Sequence, residues 1–386
     1  MKIGLIRSDL SGAGGAERYS LSVLRRLAAA GHETHVFTSR LPGDFPHEIT
    51  THLFRPKGRR LPRLLRHAAF ENWLLQNVPP QRLDFLLTLE RTLPSDIYRA
   101  GGGVHRAWRD ISLRDTSAPK KLWARFDPAH RQMLRAEAAT FEVRNTRVVI
   151  CNSQMVADEI GQYYSFPLER IKVVPNGVDM GKFHISGLQE RVRLRAERGF
   201  TPDDFVVLFA GSGFWRKGAD IALRIFADWK KQTKRQLKLV FVGRAENESF
   251  TALARELGIE GDVLFMGSKP AGEMVAWYQS ADLFLFPTRY DPFANACLEA
   301  NACGVPIITS SRNGFKDHVR AGVNGLVVDE VSAAAQIESF CEHLPAPEAV
   351  REAVGNLTLE AHMENLMSVF DFASQFPAPE GLRAHD

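Results

Sequence analysis

Short apolar runs and longer amphipathic stretches take turns along this chain, and that alternation predicts strands separated by helices. Residues 2–7 read as a buried strand and 8–16 as a glycine-rich loop; 17–30 read as a helix with Leu21, Leu24 and Ala28 on one face, stopped at Gly31. Residues 34–38 and 84–89 are further strands, and 129–145 predicts a long helix. Residues 148–151 form the next strand, with Asn152-Ser153 capping the helix that follows. Past residue 200 the beat becomes regular. Strands are expected at 205–210, 238–242, 262–266, 283–286, 305–309 and 325–328, with helices between them and a last helix at about 359–376. Such a pattern specifies an α/β chain built on parallel doubly wound sheets, which bind ligands at the carboxyl ends of their strands.

The 386 residues exceed what one ordinary core holds, so two domains are expected. Hydrophobic content of 45% and charged content of 24% are those of a soluble globular chain. No apolar run approaches the roughly 20 residues that cross a bilayer. The apolar stretch at the N-terminus is too short for a secretory signal, so a cytosolic chain is expected. Cys151, Cys297, Cys303 and Cys341 follow no metal-binding or redox spacing, and each lies in an apolar segment, as reduced core thiols do. The net charge of +4 conceals an asymmetry: residues 51–150 hold 19 Lys and Arg against 9 Asp and Glu, a local +10. A solvated basic face satisfies that charge, and so does a surface for lipid headgroups, a phosphorylated glycolipid or nucleic acid. Residues 55–76 set a basic cluster beside Leu61, Leu64, Leu65, Phe70, Trp73 and Leu74. Read as a helix from about Pro62, this segment suits packing on a core or lying on an anionic membrane.

Candidate chemistry falls in loops that follow strands. Residues 210–220 (AGSGFWRKGAD) place Gly211 and Gly213, then Arg216 and Lys217, ahead of a helix start. Mobile backbone amides, a helix N-terminus and cations together suit a diphosphate, although the Walker spacing of a P-loop is missing. Residues 281–310 read strand, loop, helix, strand, with the helix at 293–303 stopped by Gly304. They carry two carboxylates, Asp291 and Glu299, eight positions apart. Taken alone, that pair reads as a charge complementing a helix dipole and a satisfied polar position. The loop at 8–16 departs from the dinucleotide fingerprint, and no acidic residue ends the second strand, which argues against NAD. Residues 98–108 (YRAGGGVHRAW) hold three consecutive glycines, which imply a close backbone approach, and then His105 and Trp108; Arg99 and Arg106 are candidates for steering phosphates.

YDPFANACLEANACGVPIIT, the RKG at 216–218 and PNGVD at 175–179 resemble the motifs of the family 4 retaining glycosyltransferases, in the branch that glucosylates the lipopolysaccharide core. One departure is visible: Asp291 occupies the place of the first Glu in the family's E-x7-E, so a shorter side chain has to reach the sugar. The resemblance implies a GT-B fold, two Rossmann-like doubly wound domains facing each other across a cleft. An N-terminal acceptor-side domain would cover 1–174, joined by the C-terminal helix at about 359–386, and a nucleotide-sugar domain would cover 175–358. In that scheme Arg216 and Lys217 neutralise the donor diphosphate, which Gly14, Gly15, Gly211 and Gly213 approach. Glu299 accepts the ribose hydroxyls and Arg244 brackets the nucleoside. Asp291 holds the sugar with the backbone amides of Phe293, Ala294 and Asn295, and His105 contacts the transferred sugar.

The resemblance further implies metal-independent hexose transfer with retention, from UDP-glucose or a similar nucleotide sugar that serves as co-substrate, with no cofactor. The acceptor would be lipid-linked, as the lipopolysaccharide core is. The basic N-domain would meet an anionic membrane surface at the inner face of the cytoplasmic membrane, and nucleic acid would not be a partner. Alternatives are a transferase for another cell-surface polysaccharide, a nucleotide-sugar isomerase on the same fold, and a sugar-nucleotide binder without catalysis.

Overall fold

The computed structural model describes residues 1–11, 15–55, 63–78, 83–92, 94–114, 127–244, 247–270, 272–330 and 332–380. The chain divides into two compact units, Met1–Val174 with Met363–Asp386, and Pro175–His362.

In the first unit β1 (Lys2–Ile6), β2 (Glu33–Thr38), β3 (Thr50–Leu53), β4 (Phe85–Thr88), β5 (Ser95–Arg99), β6 (Thr146–Cys151) and β7 (Ile171–Val173) pair in parallel in the order β3-β2-β1-β4-β5-β6-β7. Helices α1 (Gly15–Ala29), α2 (Arg63–Asn77), α3 (His105–Arg114), α4 (Pro128–Thr140) and α5 (Gln154–Tyr163) lie between them in sequence. A parallel strand covered on both faces needs no polar side, and β4 is buried at all four positions. β5 is buried throughout as well, yet its sequence SDIYR carries no apolar run. Asp96 makes this possible by accepting the Leu86 amide (2.9 Å) and pairing with Arg147 (3.0 Å); burial pushes its carboxyl upward against the Arg147 charge.

One expectation needs correction here, and one choice left open is decided. The helix at 129–145 is shorter: α4 is capped by Asp127, whose Oδ1 accepts the Ala129 and His130 amides at 2.9 and 3.3 Å. It ends at Thr140 because Phe141 turns inward against Tyr98, Tyr164 and Phe166, while Asn145 Nδ2 donates to the Ala139 carbonyl. The aromatic side of α2 belongs to a core. Phe70, Trp73 and Leu74 pack with Phe37, Phe54 and Leu86, and Phe70 stacks on Trp73 at 5.9 Å. Residues 56–62 of that segment lie outside the described residues.

In the second unit β8 (Asp204–Ala210), β9 (Gln236–Val242), β10 (Val263–Phe265), β11 (Leu283–Phe286), β12 (Ile307–Thr309) and β13 (Gly325–Val327) pair in parallel in the order β10-β9-β8-β11-β12-β13. Its helices are α6 (Leu188–Glu197), α7 (Phe214–Lys217), α8 (Ala219–Lys230), α9 (Asn247–Glu256), α10 (Met274–Ser280), α11 (Asn295–Ala302), α12 (Ala333–Glu342) and α13 (Pro347–Glu352). β8, DFVVLFA, is buried along its whole length. The polar helix α6 is tied to the sheet by Arg191 and Arg195, which pair with Asp282 at 2.7 and 3.0 Å. The final helix α14 (Leu359–Ala373) returns the chain to the first unit, whose core takes in Leu366, Val369, Phe370 and Ala373.

In each sheet the strand order reverses once, between β1 and β4 and between β8 and β11. Loops leaving the carboxyl ends of such a pair run to opposite sides and open a crevice, where doubly wound sheets place ligands.

Candidate active site

The loops after β8 and β11 meet at the second reversal. Past Ala210 the chain turns at Gly211 and Gly213, with φ of +150° and +73°. It then winds one helical turn as α7 and turns again at Gly218 (φ +78°) before α8 begins. Arg216 and Lys217 therefore close α7 and immediately precede α8. A Cβ on Gly218 would lie 2.0 Å from the Pro287 carbonyl oxygen, so glycine alone lets the two loops touch. Gly218→Ala is expected to destabilise this unit by about 1–3 kcal/mol, as chemical denaturation would measure; a change within about 0.5 kcal/mol would contradict this account.

Lys217 Nζ donates to Asp291 Oδ2 at 2.5 Å, and Arg216 Nη1 lies 3.8 Å from the same oxygen. Arg216 also donates to the Tyr290 carbonyl at 2.9 Å. Its own carbonyl accepts the Arg289 amide and the Thr288 hydroxyl, each at 3.0 Å. Arg289 forks onto Asp220 through two 2.6 Å bonds and lies over the Trp215 ring at 4.8 Å. The cation loop is thus clamped to the carboxylate loop along its length. Two cations against one carboxylate, itself 5% exposed, leave one surplus positive charge facing the end of the sheet. Arg289 and Asp220 stand 69 positions apart, and no local pattern marks them as partners.

Of the three amides expected to hold the sugar, those of Phe293 and Ala294 are bonded within the protein. Asp291 Oδ1 accepts the Phe293 amide at 3.2 Å, and Asn313 Oδ1 accepts those of Ala294 (3.3 Å) and Phe315 (3.0 Å). A loop this deeply buried has to satisfy its own N–H groups, and Asn313, fully buried, supplies the acceptor. The sequence reading missed Asn313. Asn295 opens α11, and its Oδ1 accepts from Asn176 at 2.7 Å. One helical turn on, the half-buried Glu299 accepts the Tyr278 hydroxyl at 2.8 Å. Arg244 is exposed, two residues beyond β9. Gly211 donates to the Val242 carbonyl and Gly243 to that of Gly267, each at 2.9 Å, which ties together the turns after β8, β9 and β10. Burial pushes the Cys297 thiol up, and that of Cys303 up to about 12, so neither offers a thiolate at neutral pH.

In the first unit the reversal between β1 and β4 carries polar groups too. Ser8 donates its amide and hydroxyl to Glu90 at 3.0 and 2.8 Å, and Arg7 pairs with Glu17 and Glu90. Gly14 lies outside the described residues, and Gly15 opens α1. His105 opens α3. Its amide and that of Arg106 donate to the two oxygens of the fully buried Glu137, at 2.6 and 3.0 Å. His105 Nε2 lies 3.0 Å from His130 Nδ1, with the rings stacked. Burial lowers the His105 pKa against the opposing pull of Glu137, which favours a neutral imidazole at neutral pH. Of the three glycines, Gly103 takes φ +72°, Gly102 faces open space, and a Cβ on Gly101 would lie 2.2 Å from Arg99 Nη1. The close approach is therefore to the chain's own Arg99. That arginine is buried over the Tyr19 ring at 3.8 Å, which removes it as a phosphate-steering group and leaves the exposed Arg106.

Among the described residues no group of three or more His, Cys, Asp and Glu is placed to hold a metal ion, and no helix is long and apolar enough to cross a membrane.

Two family models match the chain, Glycosyltransferase Family 4 over residues 13–182 and Glycosyl transferases group 1 over residues 190–355. The lipopolysaccharide glucosyltransferase WaaG of Escherichia coli (strain K12) is 24% identical over 372 residues, which cover 95% of this chain and 93% of that protein. A D-inositol 3-phosphate glycosyltransferase of Segniliparus rotundus is 29% identical over 248 residues, 61% of this chain but only 54% of that protein. The chain thus spans about half the length of this second relative. Among solved structures, that of WaaG, a glycosyltransferase involved in lipopolysaccharide biosynthesis, superposes with a TM-score of 0.72 at 21% identity and covers 98% of this chain and 97% of its own. Anabaena Alr3699/HepE in complex with UDP gives a TM-score of 0.72 at 19% identity, over 96% of this chain and all of that one (100%).

Proposed function

This chain belongs to the family 4 glycosyltransferases of GT-B fold, and we propose that it moves a hexose, with retention and without a metal, from a nucleoside diphosphate sugar to a lipid-linked acceptor of the lipopolysaccharide-core type. The observation that carries this reading is the cluster of Arg216, Lys217 and Asp291 at the β8–β11 reversal, with Glu299 on the helix that follows. Expelling a nucleoside diphosphate develops negative charge on the leaving oxygens. Fixed cations in a half-enclosed site stabilise that charge as it forms and do the work that a divalent ion does elsewhere. Glu299 has the capacity to accept both ribose hydroxyls. Asp291, one methylene shorter than the usual Glu, meets the sugar from a backbone that its own bond to the Phe293 amide holds in place. His105, held at the start of α3 with its pKa lowered by burial, is the residue that the family resemblance assigns to the transferred sugar. No covalent intermediate on a side chain is needed: the donor phosphate takes the acceptor proton on the face that the leaving group vacates.

UDP-glucose is the donor to test first. Similarity to a lipopolysaccharide glucosyltransferase over 95% of this chain supports a lipopolysaccharide acceptor, and an inositol 3-phosphate transferase that matches over 87% of it supplies the competing acceptor for the test. With the α2 aromatics packed in a core, attraction of the basic first unit to an anionic membrane would be electrostatic and weakened by salt. The test is nucleoside diphosphate release from UDP-, GDP- and ADP-sugars in EDTA, with truncated lipopolysaccharide or inositol 3-phosphate as acceptor. Release from one donor, dependent on the lipid acceptor and undiminished by EDTA, with the product anomer matching the donor by NMR, is the expected result. A requirement for added magnesium, or an inverted product, would overturn the corresponding half of the proposal.

A further inference from the structure

We propose that Tyr278 is a positioning residue for donor recognition: its hydroxyl fixes one carboxylate oxygen of Glu299 so that the carboxylate meets the ribose 2′ and 3′ hydroxyls in a single orientation. This rests on the reading of Glu299 as the ribose acceptor. Glutamate has three rotatable bonds, and holding it ready for two hydroxyls costs side-chain entropy unless something else orders it first. Tyr278 is built to do that. It is 1% exposed, and its ring is wedged edge-on against Phe183 at 6.1 Å and tilted against Phe284 of β11 at 5.8 Å. The C-terminal end of α10, where it sits, is pinned in turn. Arg191 donates to the Gln279 carbonyl (3.1 Å), Arg195 to that of Ser280 (3.4 Å), and Gln279 Nε2 to that of His184 (2.9 Å). Both arginines are themselves anchored on Asp282, the residue before β11. A rigid path therefore runs from α6 through α10 to a carboxylate on α11. Burial, reinforced by Glu299, raises the phenol's pKa well above its ordinary value, so it stays a proton donor at every working pH.

Tyr278→Phe removes one oxygen and keeps the packed ring, so the fold should survive; thermal unfolding of the variant checks this. The experiment is calorimetric titration of wild type and variant with UDP, GDP and ADP, followed by the 2′,3′-dideoxy form of whichever binds most tightly. A hydrogen bond to a charged group is at stake, and the variant is expected to bind the ribonucleotide about tenfold more weakly. Its affinity for the dideoxy form, which has nothing for Glu299 to hold, should stay within about twofold of wild type. Glu299→Ala sets the floor of ribose discrimination, and adding Tyr278→Phe to it should cause no further loss. Equal weakening towards both ligands would show a general packing defect, and no weakening would show that Glu299 needs no orienting group; either overturns the proposal while leaving the donor site intact. Failure of wild type to bind any of the three diphosphates would bring down the Glu299 reading itself, and this proposal with it.

Discussion

Lys217→Ala is expected to slow nucleoside diphosphate release by about 10²–10³-fold, the effect of removing one fixed donor from a charge-stabilising site. Two losses add in the same direction. The ammonium proposed to meet the leaving phosphate disappears, and Asp291, 5% exposed and bonded to that ammonium at 2.5 Å, is left beside Arg216 alone at 3.8 Å. The cluster then falls from one surplus positive charge to none, and its remaining carboxylate repels the charge that has to develop. Most of the effect should fall on kcat, because the leaving group carries more charge in the transition state than in the bound donor. The double variant Lys217→Ala with Asp291→Asn tests the second loss by itself: it should recover part of the rate by removing the stranded charge. A decline of less than tenfold in the single variant, measured at saturating donor, would show that Arg216 suffices and that the 2.5 Å pair is structural.

Arg216 and Lys217 could be singled out in the sequence because these cations and the glycines before them lie within one short stretch after an apolar strand. β8 was equally readable, since a strand buried on both faces shows as an unbroken apolar run. β5 was not: Ser95, Asp96 and Arg99 look like a surface loop until Arg147, on a neighbouring strand, supplies the partner for Asp96. α2 shows a second kind of limit. An amphipathic pattern gives the width of an apolar face but not what covers it, and only the aromatic contacts of Phe70 and Trp73 with Phe54 assign that face to a core. The residues that hold the site rather than form it were missed for a third reason. Arg289 and Asp220, Asn313 and Ala294, Tyr278 and Glu299 meet only after their strands and helices have assembled, across 69, 19 and 21 positions. A departure such as Asp291 for Glu is visible in one dimension, yet its consequence, a carboxylate tied to a lysine and to its own loop, is not.

The first unit has its own buried carboxylate, and Glu137→Ala should be the most damaging single change there, costing about 3–5 kcal/mol. Glu137 has no exposed surface and accepts from four groups: the His105 amide (2.6 Å), the Arg106 amide (3.0 Å), the Tyr164 hydroxyl (2.6 Å) and Arg91 (2.7 Å). The two amides are the first of α3, which a helix cannot satisfy internally, so a side chain from α4 caps α3 from outside. Removing it strands the Arg91 charge and leaves three donors short of an acceptor, each of which costs free energy when buried. Because a chain of two compact units need not unfold in one two-state step, hydrogen exchange resolved by segment is the suitable measurement. Protection should collapse in α3 and α4 and persist in β8 and β9. Activity should fall as well, since His105 loses the bond that sets its position; a variant that kept full protection in α3 would show that the Arg91 bond to the Gly103 carbonyl, at 2.9 Å, holds the helix start without it. Glu137→Gln separates charge from shape. Its amide oxygen can still accept from one of the α3 amides, but its nitrogen then points a donor at the other and at Arg91 or Tyr164, so an intermediate loss is the expected result.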